Sequence, residues 1–392
     1  MGGGLMQLVA YGAQDIYLTG NPQITFFKVV YRRHTNFAME AIEQTWNGTS
    51  TGADGRCTAT ISRNGDLVSR MYIETSGTAG DTTNPGANFI KSVELEIGGQ
   101  QIDKQSGAWM EVWSELTAAN TNGTTATLAA NNATAAVGLT QFQHMSGMGG
   151  IDGGAVACRF TVPLYFWFCR NPGLALPLIA LQYHEVKVIL DHIHNTCFTV
   201  NPINKLWCDY IYLDTDERRR FAQVSHEYLI EQVQEQALSA STTNDLNFNH
   251  PVKELVWTRT TALVGVVDHT ALLPPIADST ETYVLKLNGH DRFAARVQSY
   301  FARTQVWENH SGYGGLNSTE TAGIGEANDS ICVYSFALKP EEHQPSGTCN
   351  FSRIDNAQLV SSAALQSQCI MFAVNYNVLR IMSGMGGLAY SN

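Results

Sequence analysis

Short runs in which apolar and polar residues alternate recur along this chain, separated by Gly, Asn, Pro or Asp. They are rich in Val, Ile, Tyr, Phe and Thr, and a side-chain period of two is typical of β-strands that bury one face. Helical periodicity is best developed in residues 106–118, where Trp109, Met110, Trp113 and Leu116 can share one face. The sequence therefore predicts an all-β sandwich or jelly-roll architecture. The alternating runs are residues 23–31, 66–74, 92–99, 158–168, 184–190, 206–213, 226–234, 254–264, 283–289, 331–338 and 376–382.

One of these alternating patterns occurs twice in the chain. The stretches VELEIGGQQIDK (93–104) and VLKLNGHDRF (284–293) align on Gly99 and Gly289, which lie 190 positions apart. Two weaker matches follow the same order, one that pairs residues 65–68 with 253–256 and one that pairs 159–164 with 334–338. Ordered matches of this kind indicate a tandem duplication. We therefore expect two β domains that meet near the polar stretch 214–220, with Gly99 and Gly289 at corresponding tight turns of positive φ.

Two stretches, residues 119–155 and 308–330, lack a strand or helix period and are predicted to be long surface loops. Both carry Asn-x-Ser/Thr sequences, which are the acceptor pattern for N-glycosylation. The chain does not open on a basic segment followed by an apolar core, so a secretory route is not indicated. The glycosylation candidates within the two stretches are Asn122, Asn132, Asn309, Asn317 and Asn328.

The balance of charge excludes some partners. Of the 392 residues only 15% are charged, and the formal net charge is −11, so broad or sequence-specific nucleic-acid binding is not expected. A surface that is low in charge indicates burial in an assembly. The basic run Arg218–Arg220 is expected to be a solvated turn or an interface cluster. The longest apolar run, Leu174–Leu181, is far shorter than the roughly 20 residues that span a membrane.

No residue pattern predicts catalysis or a bound cofactor. Nucleophile elbows, phosphate-binding loops and HExxH pairs do not occur in the sequence. The eight cysteines form no CxxC pair, so we expect reduced thiols and no zinc ribbon. A His-x-His pair on a strand would place both imidazoles on one face, which makes His192 and His194, with His184 upstream, weak metal candidates. The stretch that follows, NTCFTVNP (195–202), offers no carboxylate as a further ligand, so we expect interfacial or edge-strand histidines and no metal.

Longer stretches are similar to a known family. Residues 3–42 read GGLMQLVAYGAQDIYLTGNPQITFFKVVYRRHTNFAMEAI. This stretch resembles the start of the major capsid proteins of nucleocytoplasmic large DNA viruses, in the chlorovirus-like algal branch. The resemblance continues in order through most of the chain and departs from the family in 119–155 and 308–330. Further matching stretches are residues 61–68, 93–104, 172–187, 209–223, 226–232, 246–251, 287–296, 334–357 and 375–390.

The resemblance implies a fold and a function. The fold would be two tandem eight-stranded antiparallel jelly rolls, over residues 25–213 and 214–392, after an N-terminal arm over residues 1–24. The chain would be a late, non-enzymatic structural protein that forms homotrimeric, pseudo-hexameric capsomers tiling an icosahedral virion shell. Its partners would be neighbouring capsomers, minor capsid proteins on the inner face and covalent glycans on outer loops, with synthesis and assembly in the host cytoplasm.

Two other classes of function stay open at this stage. A carbohydrate-binding β-sandwich protein used in host attachment would employ exposed aromatic residues such as Trp307 and Tyr313. A metal-dependent jelly-roll enzyme would use His184, His192 and His194. The three hypotheses predict different purified species. A stable trimer would support the capsid protein, a glycan-binding monomer or dimer the carbohydrate-binding protein, and a metal-loaded monomer the enzyme.

Overall fold

The computed structural model describes residues 27, 36–78, 83–119, 126–127, 140–152, 157–198, 202–260, 270–276, 278, 280–315 and 329–390. The arm predicted over residues 1–24 lies outside the described residues, as does the run at 23–31 apart from Phe27. We call residues 36–213 the first half and residues 214–390 the second half.

The first half contains two antiparallel sheets. In chain order its strands are β1 (Phe37–Gln44), β2 (Trp46–Gly48), β3 (Gly55–Thr60), β4 (Leu67–Thr78), β5 (Ile90–Ile97), β6 (Gln100–Ser106), β7 (Ala126–Thr127), β8 (Ile151–Asp152), β9 (Ala157–Pro163), β10 (Leu176–Pro177), β11 (Val186–His192) and β12 (Ile203–Leu213). Sheet A has the order β1-β12-β4-β10, and β9 also pairs with β4. Sheet B has the order β2-β3-β11-β5-β6, while β7 and β8 form a separate small parallel pair.

The second half repeats this plan. Its strands are β13 (His226–Ala237), β14 (Thr243–Asp245), β15 (Pro251–Thr260), β16 (Leu272–Leu273), β17 (Thr282–Leu287), β18 (His290–Asp291), β19 (Arg296–Val297), β20 (Ile331–Ser335), β21 (Cys349–Asn350), β22 (Ala357–Ser361), β23 (Cys369–Met382) and β24 (Met385–Leu388). Sheet C has the order β13-β23-β15-β16, with β20 and β21 on β15 and β24 on β23. Sheet D has the order β14-β22-β17-β18, with β19 on β17.

Helices are short and connect or cover the sheets. They are α1 (Pro85–Asn88), α2 (Gly107–Thr117), α3 (Gln141–Ser146), α4 (Trp167–Arg170), α5 (His194–Cys197), α6 (Thr215–Gln223) and α7 (Gln305–Asn309). A π-helical turn, Tyr300–Thr304, leads directly into α7. The helix predicted over residues 106–118 is confirmed as α2. The basic run at 218–220 lies on α6, a helix without buried residues, so the expected turn was wrong while its solvent exposure was right.

The order of strands is the same in the two halves. In sheets A and C, β1-β12-β4 with β9 corresponds to β13-β23-β15 with β20. In sheets B and D, β3-β11-β5-β6 corresponds to β14-β22-β17-β18. Eight strands of each half therefore match in order and direction. Of the remaining short strands, β7 and β8 form their own pair and the others extend the sheets. Each half is a jelly roll, as the sequence predicts.

The register of the ladders matches as well. Ile97 pairs with Val186, and Leu287, which lies 190 positions after Ile97, pairs with Ala357. The two-residue turns that follow are Gly98–Gly99 and Asn288–Gly289, and all four of these residues have φ between 51° and 85°. Two successive residues of positive φ make the turn that suits a right-twisted hairpin. The predicted equivalence of Gly99 and Gly289 is confirmed.

The two weaker sequence matches identify the correct strands but the wrong register. Ser69 of β4 has no partner in the ladder with β12, and Lys253 of β15 has none in the ladder with β23. Both residues are therefore β-bulges, and they lie at corresponding positions of the two halves. Aligning these bulges places Leu67 opposite Pro251, whereas the sequence match had paired Leu67 with Leu255. The pairing of residues 159–164 with 334–338 is displaced in a similar way.

The strands bury alternate residues into two separate cores. Sheets A and B enclose one core, to which β4 contributes Met71 and Ile73, and sheets C and D enclose the other, to which β23 contributes Met371 and Ala373. The run at 158–168 was predicted to be a single strand, but it ends at Pro163 and turns into α4.

Candidate functional site: the joint between the two halves

Helix α2 lies between the two halves. Strand β6 ends at Ser106, whose side-chain oxygen accepts a hydrogen bond from the Trp109 amide at 3.3 Å and so caps the helix. All residues from Gly107 to Leu116 are buried, which a short helix achieves only when it is covered on every side. Met110 belongs to the core of the first half, whereas Trp109 and Trp113 face the second half.

The second half receives α2 on the outer face of sheet C. The ring of Trp109 lies 5.2 Å from that of Phe372 and 5.5 Å from that of Trp113. Val256 and Val374 also belong to this apolar cluster, and they alternate along their strands with residues that point into the core of the second half. We call this contact of α2 with the outer face of sheet C the joint. It is apolar at its centre, as permanent interfaces are.

A buried charge cluster flanks the joint. The Glu231 carboxylate on β13 lies 2.7 Å from Lys253 Nζ and 2.9 Å from Arg170 Nη1, and Arg170 belongs to the first half. Glu231 is 3% exposed, and Lys253, the bulge residue, is 0% exposed. Burial alone would raise the pKa of Glu231, but Arg170, His343 and Lys253 lower it to about 2. The Arg170 guanidinium also stacks 4.6 Å from the ring of Trp113, which links the cluster to α2.

Polar contacts between β6 and β13 extend the joint. The Asp103 carboxylate accepts a hydrogen bond from the Val233 backbone amide at 3.2 Å, and the Gln232 side chain donates from Nε2 to the carbonyl of Ile102. Burial raises the pKa of Asp103 to about 6, although hydrogen bonds from Gln105 and Val233 oppose that rise. The Asp103 carboxylate therefore connects β6 and β13, which belong to different halves.

A second ion pair lies at the far end of α2. His310 Nε2 is 3.1 Å from Glu254 and its Nδ1 is 3.2 Å from Glu341, and the imidazole is fully buried. Burial lowers the pKa of His310, but the two carboxylates outweigh burial and raise the pKa to about 9. The Gly312 amide then donates to the Leu116 carbonyl at 2.7 Å. The segment after α7 is thereby attached to the C-terminal turn of α2.

Part of the predicted surface loop 119–155 is ordered against α2. The Glu111 carboxylate accepts hydrogen bonds from the amides of Gly149 and Gly150, each at 3.0 Å. Burial and the neighbouring Glu115 raise the pKa of Glu111 well above its ordinary value. Residues 140–152 therefore form α3 and β8 at the side of α2, and the expectation of a free surface loop was wrong for them.

The histidine candidates do not lie on one strand. Strand β11 ends at His192, and His194 begins α5, so the two rings are perpendicular with centroids 6.1 Å apart. Each ring nitrogen Nε2 is already hydrogen-bonded, His192 to the Thr49 carbonyl and His194 to the Thr75 hydroxyl, both at 2.8 Å. Both side chains are buried beside a central strand, so the expectation of interfacial or edge-strand histidines was wrong for this pair.

His184 lies elsewhere, where its Nδ1 is 2.9 Å from the Gly386 carbonyl of the second half. Burial, with a smaller effect from His192, lowers the pKa of His194 to about 4. Within the described ranges, no three His, Cys, Asp or Glu side chains are grouped as a metal site would require.

The surface residues singled out from the sequence fall in different places. Trp307 on α7 is 82% exposed, and Tyr313 after it is also exposed. Asn309 ends α7 and donates from Nδ2 to the Gln305 carbonyl at 2.9 Å. The other four glycosylation candidates lie outside the described residues. Among the helices that are described, none has the length and apolar character needed to cross a membrane.

Comparison with protein families covers nearly the whole chain. Residues 25–214 match the family described as major capsid protein N-terminus. Residues 217–387 match the family described as large eukaryotic DNA virus major capsid protein. The first match ends where α6 begins, and the second begins within α6.

Individual relatives agree. The chain is 50% identical to the major capsid protein of Pyramimonas orientalis virus and 41% identical to that of Paramecium bursaria Chlorella virus 1, over the full length of both partners in each comparison. A solved structure described as "PBCV-1 virus capsid, quasi-atomic model" superposes with a TM-score of 0.72 at 35% identity, over 94% of this chain and all of that one. A Faustovirus major capsid protein shares the fold, with a TM-score of 0.64 at 13% identity. This chain therefore belongs to the major capsid proteins of large eukaryotic DNA viruses, in the algal-virus branch, and is a structural shell protein and not an enzyme.

Proposed function

We propose that three copies of this chain form a pseudo-hexameric capsomer and that capsomers tile an icosahedral shell. The observation that carries this proposal is the in-register duplication. Each chain supplies two jelly rolls with the same strand order, the same hairpin turn and the same bulge. Three such chains present six similar units around one axis, which suits a hexagonal lattice.

The joint supports a ring in particular. It brings together two different surfaces, a helix of one roll and the outer sheet face of the other. A contact between unlike surfaces is heterologous, and a heterologous contact that is repeated with a suitable rotation closes into a ring. The buried Arg170–Glu231 ion pair beside the joint links the two rolls within one chain.

The remaining parts of the proposal concern boundaries and partners. The rolls are assigned to residues 25–213 and 214–392, and residues 1–24 to an arm that contacts neighbouring capsomers or minor capsid proteins on the inner face. Deletion of residues 1–20 should then leave soluble trimers that fail to tile. Glycans are proposed for outer loops that include Asn122, Asn132, Asn317 and Asn328, and assembly is proposed to take place in the host cytoplasm.

Size-exclusion chromatography with light scattering on the purified chain tests the proposed oligomer. We expect a species near three times the 42.9 kDa chain mass, with a hexagonal outline in negative-stain images. A chain that stays monomeric at high concentration, or that forms only dimers, would contradict the proposal. Peptide mapping of the same material by mass spectrometry tests the glycan assignments separately.

A further inference from the structure

The outer face of sheet A contains the counterpart of the surface that α2 covers on sheet C. On sheet C, Val256 pairs across the ladder with Phe372, and both lie in the apolar cluster of the joint. When the bulges of β4 and β15 are aligned, the corresponding ladder pair on sheet A is Tyr72 with Trp207. Two large aromatic side chains therefore occupy the positions that the joint buries in the second half.

Within the chain this aromatic pair is only partly buried, on the outside of sheet A. Their neighbours Met71 and Cys208 point inward to the core, so Tyr72 and Trp207 point away from it. The indole Nε1 of Trp207 donates to Glu74 at 2.9 Å, which fixes the ring on the sheet surface. Charged residues surround the pair, among them Arg70, Lys205 and Asp209, which lie on the same outer face of β4 and β12.

The second half has a counterpart of α2. Helix α2 follows the Gly98–Gly99 hairpin, and the helical segment 300–309 follows the Asn288–Gly289 hairpin. One side of that segment belongs to its own roll, where the ring of Phe301 lies 5.3 Å from that of Trp257. The opposite side carries Trp307, 82% exposed, with the exposed residues Arg303 and Glu308 beside it. Trp307 is thus a large apolar side chain that its own chain leaves uncovered, on the helical segment that corresponds to α2.

We propose that the exposed face of α7 around Trp307 docks on the Tyr72–Trp207 pair of a second copy of the chain. The contact repeats the joint between chains, and it rests on the capsomer function proposed above. Its occupant is inferred from equivalence with the internal joint, whose helix and sheet face occupy the corresponding places in the fold. An aromatic centre within a polar rim is typical of protein–protein interfaces.

Site-specific photo-crosslinking tests this contact directly. Trp307 is replaced by p-benzoylphenylalanine in the full chain, trimers are isolated and irradiated, and crosslinked peptides are identified by mass spectrometry. We expect crosslinks between chains that map to residues 67–78 and 203–213. The reciprocal replacement of Trp207 should give crosslinks to residues 300–309. Isolated trimers that crosslink only elsewhere would overturn the contact, whereas a chain that forms no trimer would overturn the proposed function.

Substitution provides an independent measure. Trp307→Ala should weaken trimer formation by at least about tenfold, as the loss of a central aromatic residue does, and Trp307→Phe should restore most of it. Tyr390→Ala is the matched control, because Tyr390 is also a largely exposed aromatic residue, at 64%, but lies outside both surfaces. Trimers that tolerate Trp307→Ala, or that are weakened equally by Tyr390→Ala, would contradict the inference.

Discussion

Replacing Glu231 by Gln removes the anion that two cations share beside the joint. The pKa of Glu231 falls from an ordinary 4.5 to about 2 in the folded chain. Since a tenfold change in an ionisation constant corresponds to about 1.4 kcal/mol, the pairing of Glu231 contributes about 3 kcal/mol at neutral pH. Breaking a buried pair by removing one partner costs about 3–5 kcal/mol, because the other charge is left uncompensated. The pKa shift and the cost of breaking a buried pair both predict that Glu231→Gln lowers the free energy of unfolding by about 3 kcal/mol.

The double variant with Lys253→Met separates pairing from packing. Lys253 has 0% exposure, so removing its charge as well should recover much of the loss. The pKa of Glu231 is depressed on folding, so its contribution is present above pH 4.5 and is lost as the pH falls towards 2. Chemical denaturation at one protein concentration, repeated between pH 7 and pH 3, measures both effects. A loss below about 1 kcal/mol, or a double variant that is less stable than Glu231→Gln, would refute the reasoning.

Three further predictions concern stability. Trp109→Ala should cost about 3–5 kcal/mol, because it empties the centre of the joint; a loss under about 1.5 kcal/mol in denaturation would contradict that role. Gly99→Ala and Gly289→Ala should each cost about 1 kcal/mol and by equal amounts, because both sites have open space but φ of +85° and +80°. Thermal melts that differ strongly between these two variants would argue against equivalent turns. The pKa of His310 is raised to about 9, so its stabilisation is complete below pH 6.5 and is lost as the pH rises through 9. His310→Gln should therefore flatten the alkaline loss of stability, and an unchanged pH profile would contradict the ion pairs.

The fold class could be predicted from the sequence because alternation and turn residues are local signals. Helix α2 was predicted for the same reason, since its aromatic residues repeat at helical spacing. The Gly99 and Gly289 turns were placed in exact register because a two-residue turn of positive φ demands particular residues. The match of Leu67 with Leu255 missed by four positions. A shift by an even number keeps every side chain on its own face, so alternation cannot detect it.

The joint was much harder to predict. The bulges at Ser69 and Lys253 leave no mark in a single sequence, and only the ladder partners reveal them. In the sequence, Glu231 resembles an ordinary outward-facing residue of an alternating strand. Lys253, at the start of a strongly apolar strand, was a signal of a buried charge that sequence reasoning could have used. The histidine pair was misplaced because β11 ends between His192 and His194. Trp307 was noted as an exposed aromatic residue, but its role depends on an equivalence that only the structure shows.

A density map of the assembled capsomer at side-chain resolution tests the central claim most directly. The claim is that the joint inside one chain is repeated between chains. The map should show α7 of one copy lying over β4 and β12 of the next, with Trp307 against Tyr72 and Trp207, in the same arrangement that places α2 over sheet C. A capsomer in which that aromatic pair faces solvent, or contacts a different element of the neighbouring copy, would contradict the account.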